Sequence, residues 1–309
     1  MEIPINRDAL IKLYMKAKPK DASLIAMLDP EYCAKTRDPD GYSLFPFSLP
    51  INRSTAELIK IAGCELSWLL PRNSDLMMRA IGLEGFLIKP ACDKRIKYML
   101  DVLTGIAPLY PNEISLIAHF TSCIIWLESS DHQFIGSAAF HEVPHCTFFS
   151  DAAMFSLPPE ILVPKEFSSY AILENLYHEA LHHQMHSYAS LATEGYLCEG
   201  QSSTSFISMD WRDRTFTLIE ALHALHVYSL VTPMRYKYKT FLEDKGINVQ
   251  PDDWINVAIN EGMKMCSDLY DAIEKQKNYL KEPWSSLPTE WMSAYMNSKQ
   301  EVGTSNAVL

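Results

Sequence analysis

Residues 174–188 read ENLYHEALHHQMHSY, with His178 and His182 four apart and Glu179 between them. In an α-helix, positions i and i+4 lie about 40° apart around the axis and about 6 Å along it, so both imidazoles leave the same face. A neutral imidazole binds borderline divalent cations such as zinc or iron, so two on one face are two-thirds of a three-ligand site. Two histidines are not enough, and the third ligand decides what kind of site this is.

Working outward, Ser168 or Ser169 can cap this helix at its start. A second apolar helix is expected from about residue 215 to 231, stopped by Thr232-Pro233, because the position before proline is driven out of the helical region. The two should pack together. A third follows Pro251-Asp252-Asp253 through WINVAINEGMKMCSDLYDAIEKQKNYL, with acid at its start and lysine at its end, as the helix dipole favours. Upstream, CDKRIKYMLDVLTGI places Ile96, Met99, Leu100 and Leu103 on one helical face.

Between residues 113 and 164 the segments ISLIAHF, SCIIWL, QFIGSAAFHEV and HCTFFSD are rich in β-branched and aromatic residues and predict a small antiparallel sheet. From Arg7 to about Ile106 the pattern predicts several helices broken by proline, with DPDGYSLFPFSLP (38–50) the least regular stretch. The expected class is mostly α with a small antiparallel β-sheet, the metal site lying between two core helices. The expected organisation is a helical N-terminal region over 1–110 and a metal-binding catalytic region over 111–309.

Composition narrows the partners. A net charge of −11 opposes broad affinity for nucleic acid or an anionic membrane, and points to a small molecule or a peptide. Seven cysteines, an odd number with no CxxC pair, suggest neither a disulfide framework nor a zinc knuckle. The N-terminus shows no apolar core with a cleavage site, and no stretch approaches about 18 uninterrupted apolar residues. The expectation is a reduced, cytoplasmic, soluble protein.

A second HExxH, His141-Glu142-Val143-Pro144-His145, is expected to be extended. Proline clashes inside a helix, and in a strand positions i and i+4 lie about 13 Å apart, too far to share one ion. Six of the ten histidines fall between 178 and 226, and the run TLIEALHALHVYSL brings Glu220, His223 and His226 on an apolar helix. Glu220 and His223 are three apart and thus neighbours, so either can complete the site. His183, His186 and His226 are weaker candidates, as are Glu194 and Glu199. The peptidase pattern HExxHxxGxxH fails, since Met185 and Tyr188 stand where its glycine and third histidine belong. A zinc peptidase of the HExxH…E layout would use His178, His182 and Glu220, with Glu179 taking a proton from water.

The segment Asp210-Trp211-Arg212-Asp213-Arg214 has no duty in that hydrolysis, whereas two arginines offer a planar fork for a carboxylate. Together, YHEALH and DWRDRTFTLIEALHALHVYSLV resemble the HExxH-type iron and 2-oxoglutarate-dependent peptide β-hydroxylases of ribosomally made, modified-peptide (RiPP) pathways, formerly labelled metallopeptidases. The resemblance is specific over about sixty residues and is carried by Trp211, Arg212, Arg214, Leu222 and His223, while Thr215 and Ala224 depart from the family's proline and glycine. It implies Fe(II) on His178, His182 and His223, 2-oxoglutarate held by Arg214 or Arg212 beside Trp211, and Glu179 and Glu220 as the carboxylates of the site. The substrate it implies is a side chain of a precursor peptide, hydroxylated at Cβ. The residues alone leave His223 and Glu220 both open as third ligand, and leave two other functions: a zinc metallopeptidase, or a metal-free peptide-binding protein.

Overall fold

The Cys123–Ser129 and Cys146–Ser150 segments are near-continuous apolar runs, and the structure explains why: they are neighbouring parallel strands at the centre of a sheet. Strands buried on both faces lose the polar alternation of a half-exposed sheet. Ile124, Ile125, Trp126, Phe148 and Phe149 are all fully buried. The computed structural model describes residues 56–61, 64–69, 83, 85–89, 93–121, 123–129, 136–140, 146–191, 197–198, 206–208 and 215–305. The described residues up to Ser187 form one compact unit, and those from Tyr188 onward form a second.

The first unit contains β1 (Ala56–Ile61), β2 (Cys64–Leu69), β3 (Phe86–Lys89), α1 (Asp93–Ile106), α2 (Pro111–Phe120), β4 (Cys123–Ser129), β5 (Ser137–Ala139) and β6 (Cys146–Ser150). A short hairpin, β7 (Ser156–Leu157) and β8 (Ile161–Leu162), follows. Next comes the long helix α3 (Ser168–Leu191), whose residues up to Ser187 belong to this unit. The main sheet runs β1-β2-β4-β6-β5, with β3 also paired to β4. The class is as expected, mostly α with a small sheet, but the sheet is mixed. The β2–β4 and β4–β6 pairs are parallel, while β1–β2, β3–β4 and β5–β6 are antiparallel. Texture marks residues as strand-forming; it carries no information on direction, which depends on where the connections run.

Three local expectations are corrected. Among the described residues of the N-terminal stretch there are strands as well as helix: AELIKI and CELSWL form a hairpin in register from Ile61↔Cys64. The two-residue link Ala62-Gly63 was the signal for it. The run ISLIAHF is not a strand but lies in α2, where Pro111 occupies the first turn and Glu113 complements the dipole. Ile114, Ile117 and Phe120 then recur at helical spacing and are buried. Finally, Ser168 does not cap α3 from outside. It is itself helical, φ −57 and ψ −26, and continues a 3-10 turn over Lys165–Phe167, while its hydroxyl pairs with Tyr98 Oη of α1.

In the second unit, α4 (Leu218–Asp244), α5 (Trp254–Glu274) and α6 (Leu287–Ser305) pack together beside a small hairpin of β9 (Phe206–Ile207) and β10 (Phe216–Thr217). The expected stop at Pro233 does not occur, and α4 runs through it. An interior proline costs about 3 kcal/mol. That cost is offset by burying residues on both sides of it, among them Leu225, Val231, Met234, Tyr238 and Leu242. The helix ends instead at Gly246, whose φ of +76 lets Gly246 N donate to Glu243 O and Ile247 N donate to Leu242 O. Contact between α4 and α5 is close enough that a Cβ on Gly262 would collide with Thr232 Oγ1. At the same crossing the fully buried Arg235 donates from Nη1 to Ala258 O at 2.5 Å. α5 starts directly after Asp253, as expected, but it ends at Glu274 with no basic residue in its last turn, and the lysine-containing stretch expected to continue it holds a separate 3-10 turn over Lys277–Tyr279. Among the described residues, no helix is long and apolar enough to cross a membrane.

Candidate metal centre

Every residue of α3 from Tyr170 to Leu181 is buried, so the polar side chains there must be satisfied from within the protein. His178 and His182 do leave one face: their rings lie 4.9 Å apart between centroids, and Nε2 approaches Nε2 to 3.2 Å. Two nitrogens bound at about 2.05 Å to one ion lie roughly 2.9 Å apart at a right angle and roughly 3.35 Å apart at the tetrahedral angle. The observed separation falls between, so the pair has the bite of two ligands to a single cation. Packing also favours the ligating protonation state. His182 keeps a little accessible surface, yet the protein around its ring removes the hydration an imidazolium needs, and burial lowers it to about 4.

Glu179 is buried beside them. Its Oε1 lies 2.7 Å from the hydroxyl of Ser137, the first residue of β5. Burial pushes this carboxyl up to about 7, against the downward pull of the serine contact. The same hydroxyl lies 2.9 Å from Asn175 Oδ1. A serine carries one hydrogen, so it serves one of these two acceptors; both contacts are satisfied when Glu179 itself brings a proton. Neither Ser137 nor Asn175 was singled out from the sequence. Asn175 was findable, since it sits one turn before Glu179 and so on the same side of the helix. Ser137 was not, because it lies 42 residues away along the chain.

The other expected site residues fall elsewhere. His183 is buried and His186 half-buried, each ring with its centroid 6.4 Å from that of a neighbouring histidine on α3. His223 is buried on α4 in the second unit. His226, one turn further, packs its ring 4.8 Å from that of Trp291 of α6, a structural contact. Glu220 is exposed and forms a reciprocal cap at the start of α4. Thr217 N donates to Glu220 Oε2 at 2.7 Å and Glu220 N donates to Thr217 Oγ1 at 3.1 Å. The T-x-x-E spacing was the sequence signal for this use. Trp211, Arg212 and Arg214 lie outside the described residues, as do His141, His145, Glu194 and Glu199. Among the described residues, no group of three or more His, Cys, Asp or Glu side chains gathers as a metal site. The chain thus presents a two-histidine bite with an adjacent buried carboxyl, to which a third ligand has to be added.

No family model matches the chain, and no curated protein matches it.

Proposed function

We propose that the chain is an Fe(II)- and 2-oxoglutarate-dependent hydroxylase acting on a side chain, at Cβ, of a ribosomally made precursor peptide. The metal part of this reading rests on the Nε2 pair of His178 and His182, 3.2 Å apart on one helix face. The observation that favours it over the HExxH…E zinc peptidase is the state of Glu220. A carboxylate engaged with its own helix N-terminus at an exposed position is poorly placed to be the third ligand of a buried ion. For that role we keep His223, the residue that the family resemblance implies.

On the family resemblance, His178, His182 and His223 would be the residues that hold the ion. Bound there with 2-oxoglutarate, iron supplies the oxygen chemistry that no side chain can perform. Burial keeps His182 neutral, so its lone pair is available for ligation at neutral pH. Glu179, anchored through Oε1 by the Ser137 hydroxyl, would orient the groups next to the ion. Arg214 or Arg212 would fork the remote carboxylate of 2-oxoglutarate, with Trp211 of the same segment a further cofactor-binding residue that the resemblance implies.

The test is anaerobic reconstitution with Fe(II) or Zn(II), with two readouts that need no peptide. Fe(II) and 2-oxoglutarate together should give a visible charge-transfer band that neither gives alone, and admitting oxygen should release succinate. Peptide cleavage by the zinc form without succinate would replace this assignment with the peptidase.

A further inference from the structure

We propose that Ser137 and Asn175 are positioning residues that hold Glu179 in one orientation at this centre, an inference that rests on His178 and His182 being metal ligands. Asn175 is buried on α3, four residues before Glu179. Its Nδ2 donates to three backbone carbonyls: Ser156 O at 2.8 Å, Ala171 O at 2.9 Å and Ala153 O at 3.1 Å. Carbonyls accept and never donate, so the amide can point only one way, and Oδ1 is turned to the Ser137 hydroxyl at 2.9 Å. Ser137 is fixed in turn by its strand. It pairs with Phe149 in register, and the preceding Gly136 O accepts from Ser150 N at 2.9 Å. The hydroxyl therefore sits between two rigid elements, with Glu179 Oε1 at 2.7 Å on its other side.

Pinning Oε1 leaves Oε2 as the carboxyl oxygen that no hydrogen bond holds among the described residues, on the residue directly after His178. A tether between helix and sheet needs none of this. An apolar trio of the same volume would pack as well without burying Asn175 and Glu179 behind a half-buried serine, and buried polar groups cost stability unless every member is satisfied. Here the chain ends on the one acidic residue inside the HExxH motif.

The experiment uses the full chain and Co(II) as probe metal, read by competition with a chromophoric chelator and by the visible ligand-field spectrum. Ser137→Thr keeps the hydroxyl, whereas Ser137→Val replaces it with a methyl of the same shape, and both suit a strand. Ser137→Val is expected to bind Co(II) at least tenfold more weakly with an altered spectrum, and Ser137→Thr to restore both, as for partners that orient a metal site. On a Glu179→Gln background the Val substitution should add nothing further, because the serine acts through that carboxyl. Wild-type affinity and spectrum in Ser137→Val, with binding lost in His182→Ala, would overturn the positioning role while leaving the metal centre standing. A Val variant that fails to fold where the Thr variant folds would make the hydroxyl structural, and also overturns it. If the wild type binds no Co(II), the metal centre falls and this inference with it.

Discussion

His178 Nε2 and His182 Nε2 lie 3.2 Å apart. Four residues of helix bring the rings to this separation, which lies between the spacings that an octahedral and a tetrahedral cation impose on two neighbouring ligands. Each imidazole alone would be a buried polar ring. Together with Glu179, which follows His178 directly, they place three polar side chains on a core helix.

Removing either ring should abolish metal binding, because the remaining ligands rarely hold a catalytic ion. Elemental analysis of His178→Ala and His182→Ala should find no bound metal, whereas His141→Ala and His145→Ala should retain it. Unchanged metal in the first pair would sink the site.

The third ligand separates His223 from Glu220. His223→Ala should lose the metal. Glu220→Ala should keep it and instead weaken the start of α4, as should Thr217→Ala, by about 1 kcal/mol each. Metal analysis and melting curves on the same samples decide between them, and loss of metal from Glu220→Ala would restore the peptidase layout.

Glu179 makes the metal-free protein sensitive to pH. Its folded-state value of about 7 lies above the ordinary 4.5, so the folded chain holds a proton that the unfolded chain releases. The Glu179 contribution therefore falls as pH rises from about 4.5 to about 7, by on the order of 3 kcal/mol, while His182, held at about 4 against an ordinary 6.5, contributes a rise over about 4 to 6.5 that opposes it. In chelator-treated protein Glu179→Gln should leave the His182 rise unopposed, so that the variant gains stability from pH 5 to pH 8 relative to wild type and is the more stable form at pH 8. Urea midpoints at pH 5 and pH 8 measure it, and parallel slopes in the two proteins would refute the assignment.

Burial pushes the Cys266 thiol up to about 12, and only a thiolate attacks an alkylating reagent. At pH 8 iodoacetamide should modify the half-buried Cys198 while leaving Cys266 and the fully buried Cys146 intact until the chain unfolds. Peptide mass mapping reads the order of labelling, and early modification of Cys266 would contradict its burial on α5.

The arginines distinguish the two enzyme classes. If Arg214 or Arg212 forks the remote carboxylate of 2-oxoglutarate, its change to Gln should raise the cosubstrate requirement and leave iron bound. A charge-assisted bidentate pair is worth about 1.5–3 kcal/mol, roughly ten- to over a hundredfold in affinity. Lysine should rescue poorly, since a point charge cannot replace a planar fork. Succinate release titrated against 2-oxoglutarate, with a gain of roughly 16 Da on the peptide, is the measurement. Identical curves for wild type and both variants would remove the role.

The sequence by itself determined what depends on neighbours along the chain. The i, i+4 spacing put His178 and His182 on one face, and Asp253 marked the start of α5. The tertiary structure decided whatever depends on partners far away. Residues 114–120 have the composition of a strand, yet they helix because Pro111 starts a turn and their apolar face has a core to enter. Pro233 should have ended α4, and does not, because burial on either side outweighs one lost hydrogen bond. Strand direction in the sheet followed from connections that no local pattern encodes. Glu220 carried the pattern of a ligand and of a cap alike, and the fold used it as a cap. The partner of Glu179 is a serine 42 residues away, and no periodicity within either segment points to the other. Local spacing fixes the direction in which a side chain leaves its own element, and only the packing of elements fixes what it meets.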